Sequence, residues 1–195
     1  MKGKIAIYGA GGFGKEVMGM LDLFVPGTFA GFMDDFKTEI VLVNEQDYAD
    51  VLLAIADPAI RYKLIKDWNK KSVPFYSYVS PDILLHRSVM IGRGCIICPG
   101  AKLTVDINIG QFVIINLNST IGHDVSIGDF TSIMPSVNIS GNVKIGQRVF
   151  IGSGATILQG LTIGDDVVIG AGSVVTKSVP PNSTVMGVPG KTIKR

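Results

Sequence analysis

TIGHDVSIG (120–128) opens two beats six residues apart, Ile121-Gly122 and Ile127-Gly128. Followed in both directions, the beat does not slip. Ile, Leu or Val stands at every sixth position from Val79 to Val175, giving seventeen hexads that end at Pro180. About a third of residues in this stretch are Ile, Leu or Val, so chance gives the pattern on the order of once in 10⁷ to 10⁸ tries. The fifth positions are small or apolar too, as at Val113, Ser119, Val125, Thr131 and Val137, and the second position is Gly in eight hexads. Period six fits neither an amphipathic helix nor a plain alternating strand. It fits short strands joined by tight corners, with the lead and fifth residues inward and a corner Gly tolerating unusual φ/ψ. Hexapeptide repeats of this kind build a parallel β-helix, with three hexads to a triangular coil. Seventeen hexads make between five and six coils, and at about 4.8 Å per coil the prism is roughly 27 Å tall. No coil is stable alone, so stacking must bury one continuous Ile/Val core.

Residues 1–78 have another rhythm. KGKIAIYG (2–9), FAGFMDD (29–35), VLLAIAD (51–57) and VPFYSYV (73–79) read as strands, and KEVMGMLDL (15–23) and AIRYKLIKDWNKK (59–71) as helices. Asp57-Pro58 supplies an N-cap and a first-turn proline for the second helix. Alternating strands and helices imply a small Rossmann-like parallel α/β sheet. Two domains are therefore expected, 1–78 and 79–195. No Pro/Gly/Ser-rich linker separates them, so they should pack closely.

Gly9, Gly11 and Gly14 satisfy G-x-G-x-x-G between a strand and a helix. In that context the glycines let backbone N–H groups approach a phosphate at a helix N-terminus. Asp34 and Asp35 stand where a dinucleotide site would place its ribose-binding acid. A full NAD site needs two mononucleotide halves, and 78 residues supply little more than one. A single nucleotide or nucleotide-sugar fits better, with a purely structural turn as the alternative.

Composition excludes several classes. The chain is 47% apolar and 17% charged, so it should fold. A net charge of +2 gives no reason to expect nucleic acid or a membrane surface as partner. No apolar run approaches the length of a transmembrane helix. The lysines and short apolar run at the start are broken at once by glycines and charge, so a cytoplasmic protein is expected. Cys95 and Cys98 form a lone CxxC, and no second Cys/His pair completes a zinc site, so both read as structural thiols with no metal. Of the two histidines, His86 has no obvious partner. His123 is different. It takes the third, outward position of its hexad and is followed by Asp124.

GAGGFGKE (9–16), MDDFK (33–37), IGHD (121–124), SGNVKIG (140–146) and VMGVPGK (185–191), joined to unbroken hexads, resemble one family over essentially the whole chain. These are the left-handed β-helix acetyltransferases related to sialic-acid O-acetyltransferase. The resemblance is strongest to the N-acetyltransferases of UDP-4-amino-4,6-dideoxy sugars on the bacillosamine route and of perosamine. It implies a left-handed prism holding acetyl-CoA, an α/β domain holding a nucleotide-sugar, and a homotrimer with sites between neighbouring prisms. It implies His123 as general base, Asp124 as its orienting acid, and Asn116 near the sugar or thioester. Ser132 stands where the bacillosamine-type enzymes carry a second histidine near the thioester. Ser153 and Ala171 match pantetheine positions, and Lys177, Lys191, Lys194 and Arg195 are candidates for the CoA phosphates. Gly11, Gly12, Phe13, Asp34, Asp35 and Ala56 match the sugar-nucleotide positions, with Phe13 replacing a histidine. The chemistry suits the pair. An amine attacking a thioester must lose a proton, and an imidazole near neutral pH can take it while a carboxylate fixes its tautomer. The setting implied is surface-glycan synthesis. Sugar O-acetylation would use the same base. A non-catalytic hexapeptide scaffold would leave the glycine loop and the His123–Asp124 pair without a purpose.

Overall fold

The computed structural model describes residues 4–34, 48–68 and 74–194. The expected β-helix is present as a parallel solenoid of about six turns, consistent with left-handed winding. From Met90 to Val175 every hexad places two residues in a strand, and strands pair in parallel eighteen residues apart, as in Ile97↔Ile115 and Ile121↔Ile139. The strands collect into three faces. The first face carries Tyr78–Val79, Ile96–Ile97, Ile114–Ile115, Ser132–Ile133, Phe150–Ile151 and Val168–Ile169, and is extended by Ser183–Met186 and Lys191–Lys194. The second carries Lys102–Leu103, Thr120–Ile121, Asn138–Ile139, Thr156–Ile157 and Val174–Val175. The third carries Met90–Ile91, Asn108–Ile109, Ser126–Ile127, Lys144–Ile145 and Thr162–Ile163.

Lead and fifth residues fill one continuous core, from Cys95 and Ile97 to Val179 and Val185. Where the fifth residue is polar it is satisfied inside. The Ser119 hydroxyl donates to the Met134 carbonyl at 3.0 Å, and that of Thr131 donates to the Gly146 carbonyl at 2.9 Å.

The corners differ from expectation in one respect. The left-handed residue is the fourth of the hexad, at φ +54° to +61° in Phe112, Asn118, Asp124, Phe130, Ser136 and Arg148. None of the eight second-position glycines has a positive φ. All but Gly170 are required by stacking instead. A Cβ on Gly128 would lie 2.5 Å from the Gly146 carbonyl carbon of the next coil, and one on Gly122 would lie 2.6 Å from the Gly141 nitrogen.

The α/β half holds a parallel sheet, β1 (Ile5–Tyr8), β2 (Phe29–Met33) and β3 (Asp50–Leu53), in the order β2-β1-β3. Helix α1 (Gly12–Phe24) packs on the Ile5, Ile7 and Leu52 side, and α2 (Pro58–Trp68) on the Ala6, Val51 and Leu53 side. Asp57 caps α2, its Oδ1 accepting from the N–H groups of Ala59 at 2.8 Å and Ile60 at 3.0 Å. The expected fourth strand shrinks to a single bridge, Val51↔Phe75. Tyr78 already pairs with Ile96 in the prism, because the residues after Phe75 gain more by joining the first coil than by widening a small sheet.

The two halves share a seam along the first face. Sixth-position residues point outward, and on this face Tyr78, Ile96 and Ile114 are apolar and buried against the α/β half. On the second and third faces the same position holds Lys102, Thr120 and Asn138, or Asn108, Ser126 and Lys144. At the seam α2 sends Arg61 into the protein, where it is only 1% exposed. Its guanidinium donates to the carbonyls of Ile55, Ala56, Phe112, Phe130 and Thr131 and to the Ser132 hydroxyl. Burial pulls the group down to about 9, against the opposing field of Asp57, so it is still charged at neutral pH. Aromatic rings close the same edge, with Phe112 and Phe130 stacked at 5.2 Å and Phe75 and Tyr62 edge-on to them.

Two stability measurements follow. Thermal unfolding should separate the two glycine roles. Gly154, at φ +70° with open space around it, should cost only about 1 kcal/mol as Ala. Gly128→Ala should cost on the order of 3 kcal/mol, since its Cβ meets backbone. Denaturant titration of Arg61→Met should show a loss of ~3–5 kcal/mol, because several buried acceptors lose their donor at once. Arg61→Lys should recover little of it, since an ammonium cannot reach carbonyls spread around a planar fork.

Candidate active site

The glycine loop follows β1, and its glycines divide by role. Gly9 has φ +103°, and a Cβ there would lie 2.9 Å from the Ala54 carbonyl oxygen. Gly14 lets α1 press onto the loop, since a Cβ would stand 2.9 Å from the Gly9 carbonyl carbon. These two serve the fold. Gly11 and Gly12 have nothing within 4 Å of a would-be Cβ. They border a cleft of about 370 Å³ that Phe13, Asp34, Ile55 and Ala56 also line. Helix α1 starts here with no side-chain cap and no acidic residue in its first turn. Its positive end therefore meets the cleft with no acid in its own first turn, which suits an anion. The Asp34 carboxylate accepts the Ala10 N–H at 2.9 Å, so this acid also fixes the loop. Asp35 lies outside the described residues.

His123 sits at the corner between the second and third faces, between Thr120–Ile121 and Ser126–Ile127. Asp124 takes the left-handed fourth position, φ +58°, which turns its carboxylate back beside the preceding ring. Asp124 Oδ2 and His123 Nδ1 are 2.7 Å apart. A carboxylate only accepts, so Nδ1 carries the hydrogen, and in the neutral ring the lone pair is on Nε2. Aspartate is thus long enough for the contact. The two side chains are 63% and 59% exposed, so the pair contributes little to stability and is not needed by the core.

The remaining candidates fall on other parts of the prism. Asn116 lies at the corner between the first and second faces and is nearly buried. Its Oδ1 accepts the Leu117 N–H at 2.7 Å, and Leu117 packs into the α1 cluster with Phe13. Asn116 is therefore on the glycine-loop side of its own chain, not beside His123. Ser153 and Ala171 are exposed at that same corner, further along the prism. Lys177 is exposed on the His123 corner, fifty-four residues or three coils on, and Lys191 is exposed on the last strand. The side chain of Lys194 and all of Arg195 lie outside the description.

Ser132 needs a correction. It is fully buried in the seam, donating to the Ala56 carbonyl at 2.7 Å and accepting from Arg61 at 2.8 Å. Its hydroxyl is committed there and is not offered to a cofactor. Arg61 itself escaped sequence reasoning, because a lone arginine among lysines on a helix reads as surface. The outward apolar residues recurring every eighteen positions at Tyr78, Ile96 and Ile114 were the available sign that this face is covered. The two thiols are inert, as burial pushes Cys95 up to about 11 and Cys98 up to about 12.

Comparison with known proteins agrees with this layout. Residues 4–68 match the PglD N-terminal domain, and residues 124–159 and 142–177 match the bacterial transferase hexapeptide (six repeats). No curated protein matches significantly. Among solved structures, WeeI from Acinetobacter baumannii AYE is 35% identical, covering 97% of this chain and 99% of its own, with a TM-score of 0.88. A histidine-to-asparagine variant of perosamine N-acetyltransferase from Caulobacter crescentus, in complex with CoA and GDP-perosamine, is 28% identical over 100% and 99% of the chains, with a TM-score of 0.92. The acetyltransferase domain of PglB from Neisseria gonorrhoeae FA1090, in complex with acetyl coenzyme A, is 29% identical over 97% and 98%, with a TM-score of 0.85. With both halves matched in order and one relative above a third identical from end to end, the chain belongs to the hexapeptide-repeat sugar N-acetyltransferases.

Proposed function

We propose that the protein moves the acetyl group of acetyl-CoA onto the amino group of a nucleotide-linked amino sugar, in a site built from two copies of the chain. One observation carries the shared site. The α/β half covers the first face, while His123 stands at the corner of the other two, across the prism from that face. A nucleotide-sugar held by the glycine loop of one copy therefore meets the His123 of a neighbour. A closed ring of three copies satisfies this with every pocket and every base used.

In this reading the diphosphate lies on the N-terminal amides of α1 in front of Gly11 and Gly12. Phe13, Asp34 and Ala56 bound the nucleoside and sugar, with Asp35 as a further candidate. The amide NH₂ of Asn116, whose oxygen is already used, points the acceptor towards the thioester. Pantetheine runs past Ser153 and Ala171, and Lys177 and Lys191 meet the phosphates of CoA. The amine nitrogen attacks the thioester carbonyl carbon. Nε2 of the neighbour's His123 takes the proton that the nitrogen must lose, and Asp124 stabilises the resulting imidazolium. The C–S bond breaks, the imidazolium returns the proton to the CoA sulfur, and the acetamide remains. Both substrates are cytoplasmic metabolites, so the natural setting is the cytoplasm ahead of surface-glycan assembly. Among the described residues no helix is long and apolar enough to cross a membrane.

The first test is CoA release with acetyl-CoA and a panel of UDP-, GDP- and dTDP-linked 4-amino sugars, with free sialic acid alongside and mass analysis of the product. An N-acetylated nucleotide-sugar is expected, and His123→Ala should lower kcat by about 10²- to 10⁴-fold. Acetylation at a hydroxyl alone would move the enzyme to the O-acetyltransferase branch. The second test is complementation. Gly12→Glu should block the cleft without disturbing the fold, since nothing lies near Gly12. Co-assembled with His123→Ala, it should recover about a quarter of wild-type activity by random assortment at a shared interface. No recovery would place pocket and base in one chain.

A further inference from the structure

Gly141 stands one coil beyond His123, at the same third position of its hexad. A Cβ on Gly141 would overlap His123 Nε2, and would lie 2.6 Å from Cε1 and 2.9 Å from Cδ2. All three nearest atoms belong to the imidazole. No backbone and no other side chain contests that volume so closely.

The fold gives no other reason for a glycine here. Gly141 is not in the left-handed region, and Asn142 at φ +57° makes the turn instead. The same column of the prism holds Val105, Gln159 and Lys177, so the position accepts side chains of several sizes. The glycines that stacking demands occupy the second position, where a Cβ meets backbone. At Gly141 the atoms it meets first all belong to the ring. The main chain also fixes the spacing, because the Asn142 N–H donates to the His123 carbonyl at 2.7 Å and the Gly160 N–H donates to the Gly141 carbonyl at 3.0 Å.

We propose that Gly141 is a positioning residue for the general base. Its missing side chain lets the imidazole lie against the next coil while Nδ1 stays on Asp124. Any side chain there drives the ring outward, and either the 2.7 Å contact with Asp124 breaks or Nε2 moves relative to the acceptor. The inference rests on His123 being the base, so its test must separate the two ideas.

Gly141→Ala, His123→Ala and the double variant are compared in steady-state kinetics, thermal unfolding and nitrogen-detected ring spectra. The chain's two histidines make the spectra simple to assign. Gly141→Ala should lower kcat by about 10²-fold, the usual consequence of an ångström-scale misplacement. Both KM values should stay within about twofold, as ground-state binding is untouched. The melting temperature should hold, and the His123 ring signals should move while those of His86 stay. In the double variant the alanine should add nothing to the loss from His123→Ala. If His123→Ala keeps full kcat, the base assignment falls and this inference with it. If His123→Ala is inactive while Gly141→Ala keeps wild-type kcat and ring signals, the positioning role alone is overturned. If the alanine slows the His123→Ala enzyme by the same factor as the wild type, Gly141 acts without the ring, and the inference is again wrong.

Discussion

Every residue of the prism is placed by one constraint, the parallel pairing of each strand with the strand eighteen residues later. That register sends lead and fifth residues inward, puts the fourth in the left-handed region and brings second-position backbones into contact. Side chains of one column then stack at about one strand spacing. The consequence for chemistry is direct. His123 has a fixed neighbour in the next coil, so its surroundings are set by a residue eighteen away in sequence as well as by Asp124 beside it. Only Asp124 acts on the ring from within the same coil.

The second constraint is the charge at the seam. Arg61 is a buried cation held by carbonyl oxygens and one hydroxyl, with no carboxylate salt-bridged to it among the described residues. Its desolvation is offset by hydrogen bonds drawn from both halves, from Ile55 and Ala56 on one side and Phe112, Phe130 and Thr131 on the other. A hydrophobic plug of the same volume would fill the seam but would not hold the carbonyls of residues 55 and 56. Those residues form a wall of the glycine-loop cleft. The cation therefore ties the geometry of the glycine-loop cleft to the prism, an arrangement that apolar packing alone would leave free to slide.

Much of this was legible in the chain. The hexads carry the prism because their period survives seventeen repeats, and Asp57-Pro58 marks the start of α2 because a cap is a local event. The corner glycines were legible as a pattern but not in cause, since a clash between coils depends on stacking that the repeat implies but does not display. VPFYSYV read as a fourth strand because a strand's propensity says nothing of which sheet it joins, and tertiary pairing gave Tyr78 to the prism. Ser132 was a cofactor candidate through the family position it matches, and the α/β half lying over its face makes it interior. Arg61 was invisible for the same reason. Pairings within a hexad or a helix turn can be read from sequence, whereas contacts across the seam need the docking of two units.

Solvent decides what a single copy of the chain can do. The His123–Asp124 pair is more than half exposed, so water screens the carboxylate's effect on the imidazole and competes with an acceptor for Nε2. The glycine-loop cleft faces away from it, across the prism. On the function proposed above, a lone copy holds a base without a substrate and a pocket without a base. On the same proposal, a neighbour's pocket brought over the corner would supply the acceptor and remove the water in one step, strengthening the ion pair where the imidazolium forms. Separating the halves also has a protective effect, because a thioester resting near an exposed base with no amine present is open to hydrolysis. In the shared-site arrangement proposed above, transfer depends on assembly for its geometry and for its dryness alike. The prism's stiffness then matters more than its stability, since the corner of one copy must meet the pocket of the next to within a fraction of an ångström.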